Sequence, residues 1–144
     1  MFYKFNSLIL ALLLIIQCSD RGNPASIDIQ PEIIDFYDDN IQPIFSASCG
    51  GGCHIGGSVG GLDLSPALSY DNLIFVGATG YSGSVRVAPN DAANSVLFNK
   101  IANTGVNGQQ MPPGGPLLSP TQISLIEDWI NDGAPFQIEY TEGE

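Results

Sequence analysis

Ser48-Cys49-Gly50-Gly51-Gly52-Cys53-His54-Ile55-Gly56-Gly57 is the stretch on which the reading of this 144-residue chain turns. It holds two of the three cysteines, four positions apart, and the only histidine directly after the second. The sequence around it is lopsided in charge. Four Lys+Arg stand against fifteen Asp+Glu, a net charge of −11. Charged residues are 13% of the chain, against roughly 25% in an average soluble protein. Phosphate binding needs clustered Lys and Arg, so nucleic acid is excluded as a partner. Seventeen Gly and ten Pro predict long irregular connections, and the Gly has no period of three, which excludes collagen. The length is one domain's worth, and 44% hydrophobic residues are enough for a core.

C-x-x-C-H is the sequence mark of covalent c-type haem attachment. Two thiols add to the two haem vinyl groups, and the histidine that follows lies under the iron as proximal ligand. Here the spacing is C-x3-C-H. All three intervening residues are glycine, which can take up an extra residue as a bulge with unusual backbone angles. Three other chemistries use the same atoms. A Cys49–Cys53 disulfide accounts for the thiols but not for His54 beside them. A zinc site needs four ligands, so Cys49, Cys53 and His54 would require an Asp or Glu. A redox-active thiol pair would lack both the C-x-x-C spacing and a thioredoxin-like βαβ context.

A second candidate ligand sharpens the haem reading. Six-coordinate c haem in electron transfer commonly takes a thioether sulfur opposite the histidine. Met1 falls in the amino-terminal signal, so Met111 is the only methionine left in the mature chain. It lies 57 residues after His54, at the head of Met111-Pro112-Pro113-Gly114-Gly115. The prolines stiffen this loop, and a Pro-Pro-Gly-Gly turn is a poor place for a core methionine.

Residues 1–17 read as an export signal. Leu8 to Ile16 form an unbroken apolar run of nine residues behind Lys4, well short of the ~20 needed to span a bilayer. Cys18 follows Gln17 directly and resembles the lipidated cysteine of a bacterial lipoprotein, although Gln17 stands where Gly, Ala or Ser is usual. An uncleaved anchor with an incidental cysteine is the alternative. Lipid at Cys18 predicts an exported protein, anchored to membrane in the periplasm or cell envelope. From Cys18 onward Arg21, Arg86 and Lys100 face all fifteen acids, a net charge of −12. Residues 18–32 then carry the lipidated cysteine and a flexible tether, 33–137 the folded domain, and 138–144 an acidic tail.

The pattern predicts helices over 33–47, with a start as late as Asp39 or Asn40, and over 91–102. The best-signalled helix is the last. Ser119 is its N-cap, Pro120 its first residue and Gln122 completes a capping box. Ile123, Ile126 and Ile130 share a face, Gly133 closes the helix and Pro135 blocks continuation. Residues 58–88 and 103–116 read as Gly-rich loop. Helices separated by such loops often need a metal or cofactor at the centre of their core.

Together these stretches resemble the cytochrome c family, in particular the small c-type domains of environmental bacteria that are exported or fused to larger enzymes. The matching pieces are Ile41-Gln42-Pro43-Ile44-Phe45, Cys53-His54, Gly60-Gly61-Leu62-Asp63-Leu64, Arg86-Val87-Ala88-Pro89, Asn94-Ser95-Val96-Leu97, Met111-Pro112-Pro113-Gly114-Gly115, and Leu118-Ser119 through Trp129 to Ala134. They run from Ile41 to Pro135. The resemblance implies an all-α fold, cytochrome c-like helices around one covalently bound haem c with long Gly/Pro-rich loops. It implies attachment through Cys49 and Cys53, His54 as proximal ligand and Met111 as distal ligand. Ile126 and Trp129 are then expected near the first helix or the haem edge. The family's first cysteine position falls at Gly50, so either the glycines bulge and both thioethers form, or Cys53 alone is attached.

The function this implies is a monohaem electron carrier cycling between Fe(II) and Fe(III). It is not an enzyme, because His/Met ligation leaves no open position on the iron. A redox partner protein with a basic docking patch would complement the acidic surface, though solubility alone also accounts for the charge. The rival is a non-haem, disulfide-stapled surface lipoprotein acting as a binding module. A haem sensor or peroxidase-like enzyme would require Met111 to be displaced.

Overall fold

The computed structural model describes residues 31–56 and 59–140. The export signal, Cys18 and most of the tether lie outside the described residues. In chain order the elements are β1 (Glu32–Ile34), a π-helical turn (Tyr37–Ile41), α1 (Gln42–Ser48), a 3-10 turn (Val59–Gly61), α2 (Ser69–Leu73), α3 (Val96–Ile101), α4 (Pro120–Asn131) and β2 (Ile138–Tyr140).

The expected all-α fold is corrected. About 36% of the described residues are helical, and the two ends of the domain pair as a small antiparallel sheet. Glu32 lies opposite Tyr140, Ile33 opposite Glu139 and Ile34 opposite Ile138. Isoleucine and tyrosine suit an extended backbone, but three residues carry no readable period. What makes the pair is the meeting of the ends, where the Tyr37 N–H donates to the Phe136 carbonyl at 3.0 Å. The helix expected over 33–47 therefore yields its first residues to β1. Part of the segment read as an acidic tail, Ile138–Tyr140, lies in β2.

The entry to α1 follows from Pro43. Proline has no N–H, so the carbonyl four residues before it is left without its helical donor. The backbone widens just upstream, and the Gln42 N–H reaches back five residues to the Tyr37 carbonyl. The helix expected over 91–102 starts later, at Val96. Asp91 takes its place locally by accepting from the Asn94 N–H at 3.1 Å and the Asn94 side-chain amide at 2.7 Å, a turn that competes with helix.

Helix α4 has the ends its sequence predicts. The Gln122 N–H donates to Ser119 Oγ at 3.3 Å and the Ser119 N–H to Gln122 Oε1 at 2.9 Å. Gly133, at φ +94°, turns the chain. The Gly133 N–H then donates to the Ile130 carbonyl at 3.1 Å and the Ala134 N–H to the Trp129 carbonyl at 2.8 Å, the two bonds of a Schellman closure.

The core gathers on Tyr37, which is fully buried. Its ring centroid lies 5.0 Å from Tyr70, 5.4 Å from Trp129 and 5.8 Å from Phe136. Trp129 thus packs on the first helical segment, with its indole N–H donating to the Pro135 carbonyl at 3.0 Å. Ile41, Phe45, Leu73, Ile126 and Ile130 complete the apolar interior. Leu73 of this cluster also lines a cavity between α2, α3 and the loops. Among the described residues no helix is long and apolar enough to cross a membrane.

Candidate functional site

The Cys49–His54 stretch leaves α1 through a tight turn. The Cys49 N–H donates to the Phe45 carbonyl at 2.8 Å and ends the helix, and the Cys53 N–H donates to the Gly50 carbonyl at 2.8 Å. Between them Gly51 and Gly52 have φ of +47° and +79°. Two consecutive positive φ values make a type I′-like reversal that side-chain-bearing residues resist. The additional residue of C-x3-C-H is accommodated there. Both cysteines carry free thiols, Cys49 half-buried and Cys53 exposed. Burial pushes the Cys49 thiol up to about 11, since its thiolate would lose hydration.

His54 is held from two directions by residues 62–64. Its Nδ1 is 3.1 Å from the Leu62 carbonyl, and its own carbonyl accepts from the Leu64 N–H at 2.6 Å. A carbonyl oxygen only accepts, so Nδ1 is the donor in this contact, and the tautomer it selects has its lone pair on Nε2. That is the arrangement of a metal-ligating histidine with its second nitrogen engaged.

Met111 reaches the same two cavities as Cys49 and His54 from another segment. Its N–H donates to the Lys100 carbonyl at 3.0 Å, and the Gln110 side chain to the Ile101 carbonyl at 3.1 Å. The Met111 loop is thus tied to the end of α3.

A cavity of about 260 Å³ lies between these segments, walled mainly by Leu62, Leu64, Leu73, Val96, Leu97 and Ile101. A second, of about 350 Å³, is lined by Ala47, Cys53 and the Pro112–Pro116 loop. Cys49, His54, Val59 and Met111 line both. All four predicted haem residues therefore reach one pair of cavities. Cys18 lies outside the described residues. No family model, curated protein or solved structure matches this chain.

Sequence reasoning did not assign the cations. Arg86 and Lys100 are the only Lys or Arg among the described residues, and both line the first cavity. Arg86 is buried. Its guanidinium donates to the Asn72 carbonyl at 2.7 Å and to the Gly61 and Gly60 carbonyls at 2.8 and 3.3 Å. These partners are neutral, so the guanidinium keeps its full charge beside the cavity, and burial lowers its pKa from the usual arginine value. Lys100 Nζ sits 5.1 Å from the Tyr81 ring centroid and 3.4 Å from the Gln109 carbonyl. The signal for these two was their scarcity in an acidic chain. Among the described residues no group of three or more His, Cys, Asp or Glu is gathered to hold a metal ion.

Proposed function

We propose that this chain is a monohaem electron-transfer protein of cytochrome c type, in which His54 and Met111 would bind the haem iron. The observation that carries the reading is their meeting. The chain's one histidine and a methionine 57 residues later line one apolar cavity, and among the described residues no hydrogen bond occupies the histidine's Nε2. The donor set, an imidazole nitrogen and a thioether sulfur, suits iron in haem. Cys49 and Cys53 supply thiols for addition across the two vinyl groups. Arg86 and Lys100 offer positive charge to the group's two carboxylates.

When bound, the haem supplies one-electron exchange between Fe(II) and Fe(III). The protein's part is to hold the group, and His54 and Met111 are the residues that would bind its iron. The cavity's aliphatic walls exclude water, and the Leu62 carbonyl orients the His54 ring through Nδ1. The acidic surface supports docking to a redox partner with a basic patch, where complementary charge speeds encounter. The amino-terminal sequence supports export, with lipid on Cys18 as the membrane anchor in the periplasm or cell envelope.

The test is a visible spectrum of the reduced protein in alkaline pyridine, after expression with c-type maturation machinery. The expected result is one haem per chain with both vinyls saturated. A colourless protein with a Cys49–Cys53 disulfide would replace this reading with the non-haem lipoprotein acting as a binding module.

A further inference from the structure

We infer that Gln42 is a positioning residue for His54, its buried side-chain amide clamping the 62–64 segment that orients the histidine ring. The consequence for iron rests on the electron-carrier reading, whereas the effect on the ring does not.

Gln42 is 5% exposed, and every polar atom of its side chain is engaged. Nε2 donates to the Leu64 carbonyl at 3.0 Å and to Ser46 Oγ at 3.1 Å. Oε1 accepts from the Ser69 hydroxyl, which in turn accepts from the Tyr37 hydroxyl at 2.8 Å. The amide cannot be reversed, because Oε1 would then face the Leu64 carbonyl, acceptor against acceptor. One side chain thus joins α1, α2 and the 62–64 segment.

The same segment grips His54. The Leu64 N–H binds the His54 carbonyl, and the Leu62 carbonyl binds the ring at Nδ1. Gln42 touches neither the ring nor the cavity's ligands. It anchors the Leu64 carbonyl, on the residue whose N–H binds the His54 carbonyl and two residues from the Leu62 carbonyl that holds Nδ1. Without Gln42 the Leu64 carbonyl loses its side-chain donor in the interior, and the segment shifts to recover one. A weaker Nδ1–H···O bond makes the imidazole less basic and a poorer donor to Fe(III), which raises the reduction potential.

The experiment compares the wild-type chain with Gln42→Met and Ser69→Ala, all full-length, after the haem content of each is measured. Nitrogen NMR of His54 reads the ring tautomer and the solvent exchange of the Nδ1 proton, and voltammetry reads the potential. Gln42→Met should mix the tautomers in chain isolated without haem, and in the haem-bearing protein should speed Nδ1 proton exchange severalfold and raise the potential. Ser69→Ala breaks the other arm of the amide and should leave His54 as in wild type. If Gln42→Met does not accumulate, Gln42→Glu serves: it keeps an acceptor for Ser69 and removes the donor to Leu64. An unchanged tautomer, exchange rate and potential in the Gln42 variant would overturn the inference. So would an equal disturbance in Ser69→Ala, which would mean general loosening of the core. Absence of haem from the wild type would defeat the electron-carrier reading instead, while the tautomer comparison would still decide the role of Gln42.

Discussion

Alkylation of Cys49, in chain isolated without haem, should be slow and should keep accelerating with pH after an unfolded thiol has levelled off. Cys49 ends α1 against the cavity, and burial moves its thiol from 9.0 up to about 11. Below both values, that lowers the thiolate population about 100-fold relative to the unfolded chain. The more basic thiolate is also the better nucleophile, and a Brønsted slope of about 0.4–0.5 restores a factor of about 6–10. Reaction with iodoacetamide at about pH 8 should therefore be about 10- to 16-fold slower than in denaturant, before any steric protection. The assay is timed alkylation with peptide mass spectrometry, in buffer and in denaturant, from neutral to strongly alkaline pH. In the folded chain the Cys49 rate should rise about tenfold per pH unit through the range where the unfolded rate has flattened. Because the raised value favours the neutral thiol in the fold, its stabilisation is complete below about pH 9. It is lost as pH rises through 11, a loss of roughly 3 kcal/mol. A Cys49 that reacts at the unfolded rate at pH 8, or levels off near 9, would refute the reasoning. Thioether bonds must accordingly be counted after unfolding, since burial alone protects Cys49 in the native state.

Met111→Ala should retain haem, because attachment does not involve the sulfur, yet lower the potential and let the reduced protein bind CO; unaltered spectra and potential would point to another distal ligand, Lys100 first. Ser119→Ala removes the acceptor for the Gln122 N–H and should cost about 1 kcal/mol in thermal unfolding without moving the potential; no loss of stability would mean the cap is unimportant to α4. Cys18→Ser should release the protein from the membrane fraction with its haem content unchanged, since nine apolar residues are too few to anchor it; continued membrane association would indicate an uncleaved signal anchor.

What could be read from the sequence was whatever a few neighbouring residues specify. Ser119, Pro120, Gln122 and Gly133 define both ends of α4 because capping is satisfied within one turn. The Gly51-Gly52 reversal was legible for the same reason, and His54 and Met111 stood out because they are the only His and the only Met after residue 1. Long-range geometry decided the rest. Glu32–Ile34 and Ile138–Tyr140 become strands because the domain's two ends meet, and neither segment contains that information alone. The cavity is assembled from the Cys49–His54 turn, the 62–64 segment, α3 and the Met111 loop. Only that assembly shows that an acidic chain sets Arg86 and Lys100 on the same apolar wall. Gln42 was visible only as one residue of a resembling stretch. Its engagement with Leu64, Ser46 and Ser69 exists because burial leaves its amide no water, so every donor and acceptor must find a partner across the fold.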